Sequence, residues 1–139
     1  MVHCAAEKIP MVIHERFKEL YGFEAFDSIG NSEVTYEWLA NNPKEHKMGT
    51  CGKPVFGCEV LLVDPQTLEI IREPHRPGEV WVKSDSVLFF YWRKYHKSKE
   101  CLVGSWMRTG DVMDFDADVF ADHFLQLCDE RICEGMPWS

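Results

Sequence analysis

No run of apolar residues in this chain is long enough to cross a bilayer. The longest, VLFFYW at residues 87–92, falls far short of the roughly 18 residues that such a helix needs. The opening MVHCAAEKIP lacks the charged-then-apolar order of a secretory signal, so a cytoplasmic setting is expected. None of the six cysteines, Cys4, Cys51, Cys58, Cys101, Cys128 and Cys133, forms the two-residue knuckle of a structural zinc site. Free thiols in a reducing compartment are expected, the alternative being a metal cluster of His123, Cys128 and Cys133 with Asp122. Basic residues are also scarce, 15 Lys and Arg against 23 Asp and Glu, for a formal net charge of -8. That balance argues against a general affinity for nucleic acid or anionic lipid, which needs clustered cations. Internal repeats and low-complexity segments are missing as well.

With 139 residues, 45% of them hydrophobic, the chain can bury one core, about two-thirds of its unfolded surface by size scaling. It reads as one domain or as part of a larger one. MVIHERFKELYGF places Val12, Ile13, Phe17 and Leu20 near helical spacing and closes on Gly22, which predicts an amphipathic helix packing its apolar stripe on a sheet. EAF predicts a short strand, EVTYEWLANNP a helix stopped before Pro43, and residues 41–53 a polar loop. CEVLLVD and GEVWVKS are β-rich runs separated by turn chemistry, so mostly antiparallel strands are expected from Cys58 onward. WRKYHKSKECLVG predicts a helix ending before Gly104, and SWMRTGDVMDFDADVF two short strands around a tight turn. Few of these strands have an obvious partner, and no closing element is visible in LQLCDERICEGMPWS. The β-rich half is therefore not expected to close a core of its own.

Glycine recurs beside polar groups at GNSE (30–33), GTCGKPVFG (49–57), RPGEVWVKS (76–84) and RTGD (108–111). In the first, Gly30 would let the backbone approach a ligand, Ser32 offers a hydroxyl, and Glu33 offers the hard oxygens that Mg²⁺ prefers. A helix opening here would add an anion site; alternatively, Ser32 and Glu33 only cap that helix at Val34. In the last, a turn at Thr109 and Gly110 would present Asp111, whose carboxylate can accept two hydrogen bonds from a ribose diol. The alternative is a solvated surface turn. The RKYHKSKE run, with Arg93, Lys94, Lys97 and Lys99, reads as a coenzyme A phosphate patch or as a solvated helical face.

In order and at matching distances, IGNSE, GTCGKPVFGCEVLLVD and RPGEVWVKSDSVLFFYWRKYHKSKECLVGSWMRTGD resemble the AMP-forming acyl-CoA synthetases of the adenylate-forming superfamily. Those enzymes carry a Gly-x-Thr-Glu loop, a Gly-Glu-Leu strand followed by Gly-Tyr-Trp, and a Thr-Gly-Asp turn. The wording DSIGNSE is similar to that of benzoate and other aryl-CoA ligases. The resemblance implies that Asp27, Ser28 and Ile29, with Gly30 and Asn31, line the adenine and acyl pocket. It further implies that Ser32 contacts the α-phosphate, Glu33 holds Mg²⁺, and Asp111 grips both ribose hydroxyls. The implied reaction joins a carboxylic acid to ATP, giving an acyl-adenylate and pyrophosphate, after which the thiol of coenzyme A displaces AMP. Its cofactors and partners would be ATP and AMP, Mg²⁺, coenzyme A and a small carboxylic acid.

Several positions depart from the pattern. Ser32 stands for Thr, Ile29 for the Tyr of most members, and Phe90 for the Gly before the aromatic pair. The Gly-Arg-x-Asp hinge is missing from FLQLCDERI, where Asp129 or Glu130 is the candidate remnant of the hinge acid and Arg131 is displaced. The expected fold is α+β, the C-terminal part of the large domain of an adenylate-forming enzyme. Residues 1–57 would end an α/β subdomain with the adenylate-binding loop, 58–118 would form a β-rich, distorted barrel-like subdomain ending in the ribose-binding turn, and 119–139 a divergent hinge-like tail. The triphosphate-wrapping loop and the adenylation lysine of the family lie outside the resemblance. The expectation is therefore a ligase fragment that does not turn over alone, or else a non-catalytic nucleotide-binding or structural remnant.

Overall fold

The computed structural model describes residues 2–5 and 8–118 together with the backbone of 125–126. The candidate cluster of Asp122, His123, Cys128 and Cys133 and the candidate hinge residues Asp129, Glu130 and Arg131 lie outside the described residues. Strand β1 (Val2–Cys4) lies parallel to β2 (Ala25–Gly30), and helix α1 (Met11–Tyr21) connects them. The helix ends where its composition requires: Gly22 takes the left-handed conformation at φ 75° and returns its N–H to the Lys18 carbonyl at 2.8 Å. Its apolar stripe does not pack on the sheet as expected. Val12 is 66% exposed and Leu20 58%, and the one buried residue of α1 is His14. The helix is anchored to β2 by a polar contact, Asp27 being the sheet's acceptor for His14.

The helix expected from EVTYEWLANNP is a reversal followed by a strand. Residues 31–36 turn the chain, and β3 (Glu37–Ala40) runs back antiparallel along β2, pairing Ser28 with Ala40 and Ile29 with Leu39. Two local constraints produce this. A Cβ on Gly30 would stand 2.5 Å from the Tyr36 carbonyl oxygen, so only glycine lets the two strands close there, and Thr35 sits at φ 77°, outside any helix. Trp38 and Leu39 are neighbours and both fully buried, so β3 is covered on both faces. Strand β4 (Lys53–Pro54) completes a four-stranded sheet in the order β1-β2-β3-β4 after the expected loop.

The second sheet contains β5 (Cys58–Val63), β6 (Ile70–Ile71), β7 (Gly78–Ser84), β8 (Leu102–Val103), β9 (Trp106–Met113) and β10 (Leu125–Gln126). Its order is β10-β9-β7-β5-β6, with β8 paired to β9, and every pair is antiparallel. The partners that the sequence left unassigned are therefore clear: β5 and β7 pair along their length from Cys58 with Ser84 to Val63 with Glu79. Helix α2 (Tyr95–Cys101) is shorter than its run suggests, beginning only after Arg93 has taken φ 57°. RTGD does not make a turn between two strands; it lies inside the single strand β9. Opposite it the register shifts: Glu79 faces Val112 and Trp81 faces Arg108, so Thr109, Gly110 and Asp111 bulge against Val80.

One core serves both sheets. Ile29, Val34, Trp38, Leu39 and Cys51 from the first half pack with Leu62, Ile71, Val80, Val82, Met107 and Met113 from the second. The β-rich half thus closes its core with side chains borrowed from the loop and strands before residue 57. The α+β architecture follows from this, with the GNSE turn and the β9 bulge at the edges of a shared interior.

Candidate active site

The GNSE turn is held from outside itself. Asn31 accepts the Val34 N–H on Oδ1 at 3.2 Å, the Asx bond that favours a turn over a helix start. The segment after β7 then grips the turn. Ser86 Oγ donates to the Val34 carbonyl at 2.7 Å, Thr35 Oγ1 to the Ser86 carbonyl at 3.3 Å, and the Leu88 N–H to the Glu33 carbonyl at 2.8 Å. The Tyr91 hydroxyl donates to Glu33 Oε1 at 2.9 Å. Ser32 is exposed at the tip of the turn, with its carbonyl accepting the Thr35 N–H. Without a helix here, neither the cap reading of Ser32 and Glu33 nor a helix-end anion site applies.

Asp111 is carried by the bulge of β9. Thr109 Oγ1 donates to the Val80 carbonyl at 3.0 Å and lies 3.0 Å from the Asp111 N–H, for which it is the acceptor. Next to it, Arg108 fastens the bulge to β7, with Nε 3.1 Å from both Glu79 oxygens and Trp81 Nε1 also on Glu79 at 3.1 Å. Asp111 is 9% exposed. Burial pushes its carboxyl up to about 6, Thr109 opposing that rise and the nearby Glu33 adding to it. Glu33 is therefore near enough for its charge to be felt at the Asp111 carboxyl. An arriving metal or donor group would relieve their repulsion.

Cys51 is buried in the shared core. Its thiol is pushed up to about 11 by burial and then by Asp27, with Lys8 opposing and Asp111 adding to the rise. The loop carrying it is tied down by buried Asn41, whose Nδ2 donates to the Asp27 and Thr50 carbonyls at 3.2 and 2.6 Å and whose Oδ1 accepts the Lys47 N–H. The other expected pocket residues are engaged within the chain. Asp27 accepts His14 Nε2 at 2.9 Å and the Ile9 N–H at 3.1 Å. Ser28 Oγ donates to Glu37 at 2.8 Å, Ile29 is in the core, and the open face of Gly30 is filled by the Tyr36–Glu37 backbone. The structure thus places Asn31, Ser32 and Glu33 on one turn and Asp111 on the β9 bulge, while Asp27, Ser28 and Gly30 have partners within the fold. Sequence reasoning missed Tyr91, Cys51, Asn41 and the Glu79–Arg108 pair. Only Tyr91 carried a visible signal, as the aromatic after Phe90 in the family's aromatic stretch.

The two converging motifs can be compared with known proteins. A family model described as AMP-binding enzyme matches residues 1–92. The chain belongs to that family. A 3-hydroxybenzoate–CoA ligase of Aromatoleum sp. (strain CIB) is 33% identical over 119 residues, which is 86% of this chain and 23% of the relative. The crystal structure of a benzoate CoA ligase from Burkholderia xenovorans LB400 matches with a TM-score of 0.84 at 29% identity, covering 91% of this chain and 25% of that one. An o-succinylbenzoate coenzyme A synthetase from Bacillus subtilis, solved in complex with ATP and magnesium ion, matches with a TM-score of 0.77 at 26% identity, covering 88% of this chain and 25% of that one. The chain therefore spans about a quarter of the length of these AMP-binding enzymes, and the shared fold is that of adenylate-forming ligases.

Proposed function

We propose that this chain forms the nucleotide-holding part of an AMP-forming acid–thiol ligase acting on an aryl carboxylic acid such as a benzoate, with ATP and coenzyme A as the other substrates. The observation that carries this reading is that two motif carboxylates are each fixed by the fold, Glu33 by the segment after β7 and the buried Asp111 by the bulge of β9, and the electrostatic influence of Glu33 on Asp111 supports it. Asp111, buried with Thr109 as its side-chain partner, suits a diol that donates two hydrogen bonds. Ser32, exposed at the tip of the GNSE turn, would donate to a phosphate oxygen. Glu33 would hold a magnesium ion, which when bound supplies charge neutralisation on the phosphates. Under this reading the chain's own contribution is positioning: it fixes the ribose, orients the α-phosphate and excludes water on the core side. The proposal places the chain in a reducing compartment, where Cys4, Cys51, Cys58 and Cys101, all free, stay as thiols.

The 139-residue chain is expected to bind AMP without turning over acid and ATP. Isothermal titration with AMP, set against Asp111→Ala, tests the assignment. Loss of two hydrogen bonds to a charged acceptor should weaken binding by up to about 1.5–3 kcal/mol per bond. An Asp111→Ala variant that binds AMP as the parent chain does would remove the ribose role. A parent chain that binds no AMP would remove the nucleotide reading itself.

A further inference from the structure

Glu33 is held at both ends by one segment far along the sequence: its carbonyl by the Leu88 N–H at 2.8 Å and its Oε1 by the Tyr91 hydroxyl, 58 residues away, at 2.9 Å. Tyr91 is itself fixed on three sides. Its N–H donates to Ser98 Oγ at 2.8 Å, Lys97 Nζ stands 4.6 Å from the ring centroid, and its hydroxyl points into the turn. We propose that Tyr91 is a positioning residue, whose phenol orients the Glu33 carboxylate so that its second oxygen faces a divalent cation carried by the nucleotide. This deepens the preceding reading of the site and rests on it.

The choice of donor is informative. A lysine in the place of Tyr91 would neutralise Glu33 and compete with a metal, whereas a neutral phenol fixes the carboxylate and leaves its charge available. Among the described residues, Glu33 Oε2 has no hydrogen-bond partner. A glutamate turning freely on its side-chain bonds would lose that freedom when it bound a metal. Here Tyr91 has already removed much of it, which is the physical content of preorganisation.

The test uses the full chain with Mn²⁺ as the metal probe. Affinities for ATP are measured by titration in EDTA and in excess Mn²⁺, and bound Mn²⁺ is read independently by electron paramagnetic resonance. Tyr91→Phe keeps the ring and removes only the hydroxyl. It is expected to weaken Mn²⁺–ATP binding about five- to tenfold, part of the value of one hydrogen bond to a charged group because Tyr91 acts only through Glu33, and to leave ATP in EDTA within about twofold of the parent. Glu33→Gln should abolish the Mn²⁺-dependent gain, and adding Tyr91→Phe to it should cost nothing further, because Tyr91 acts through Glu33. In Glu33→Gln, one phenol should also ionise at lower pH in the absorbance near the red edge of tyrosine.

Equal losses with and without Mn²⁺ would overturn the inference in favour of a purely structural tyrosine. So would additive effects of the two substitutions, or a Tyr91→Phe chain indistinguishable from the parent. In all three cases ATP binding by the parent leaves the nucleotide reading standing. A parent chain that binds ATP in neither condition overturns the nucleotide reading and this inference together.

Discussion

His14 Nε2 and Asp27 Oδ2 lie 2.9 Å apart, and each residue is only 3% exposed. This contact, rather than an apolar seam, locks α1 to the strand that leads into the GNSE turn. His14→Phe would remove the imidazole from the buried Asp27 carboxylate and leave it the Ile9 N–H. The expected cost is about 2–3 kcal/mol, the value of a hydrogen bond to a charged group plus incomplete resolvation. A urea midpoint unchanged in that variant would show that the helix is held by something else.

Asp111 should make stability fall as pH rises. The folded chain keeps its proton up to about 6, against an ordinary value of 3.8, so between those values the folded state binds more protons than the unfolded state. Stability is then lost progressively as pH climbs through that window, on the order of 3 kcal/mol in all. Asp111→Asn, which cannot ionise, should match the parent near pH 4 and exceed its stability above pH 6.5. Urea unfolding at a series of pH values reads the difference directly, and parallel curves for the two chains would contradict it.

Gly52 stands at φ 84°, and a Cβ there would come within 2.1 Å of the Ala40 carbonyl carbon. Backbone cannot retreat as a flexible side chain can. Gly52→Ala is expected to cost at least about 2–4 kcal/mol, combining the left-handed penalty with the overlap. Thermal unfolding that shifts by only a degree or two would mean that β3 and the following loop part easily.

Arg108 and Glu79 form a pair in which Glu79 is nearly covered and Arg108 about a third exposed, at 2.9 Å from Nη2 to Oε2. Arg108→Met would strand the carboxylate with Trp81 as its remaining side-chain donor. Fully buried pairs lose about 3–5 kcal/mol when one partner goes, and the exposure of Arg108 lowers the expectation here to about 2–3 kcal/mol. Adding Glu79→Gln should restore part of that loss, as denaturant midpoints of the single and double variants would reveal.

What could be read in the residues follows their range of action. Helix α1 was legible because its spacing and Gly22 are local, and β5 and β7 because alternation and turn residues are local too. The strand at β3 was not, because helix-like Glu37, Trp38, Leu39 and Ala40 were overruled by Gly30 and by burial on both faces. Asp111 and Glu33 were recognisable from their motif wording, but the bulge that presents Asp111 depends on pairing with β7, more than twenty residues away. The partners of Asp27 were invisible for the same reason. A carboxylate beside a glycine loop looks alike in sequence whether it awaits a ligand or a histidine thirteen positions earlier.

The bulge in β9 has one more consequence, for how this site tolerates change in length. Side chains alternate along a strand, so parity decides which face each one serves. Thr109, Gly110 and Asp111 are set against the single residue Val80, and deleting Gly110 would turn every side chain on one flank of the gap to the opposite face. Either Asp111 would leave the buried position it now holds, or Met107 and Met113 could no longer both point into the core. Point substitutions here can be graded, but a one-residue deletion is all or nothing.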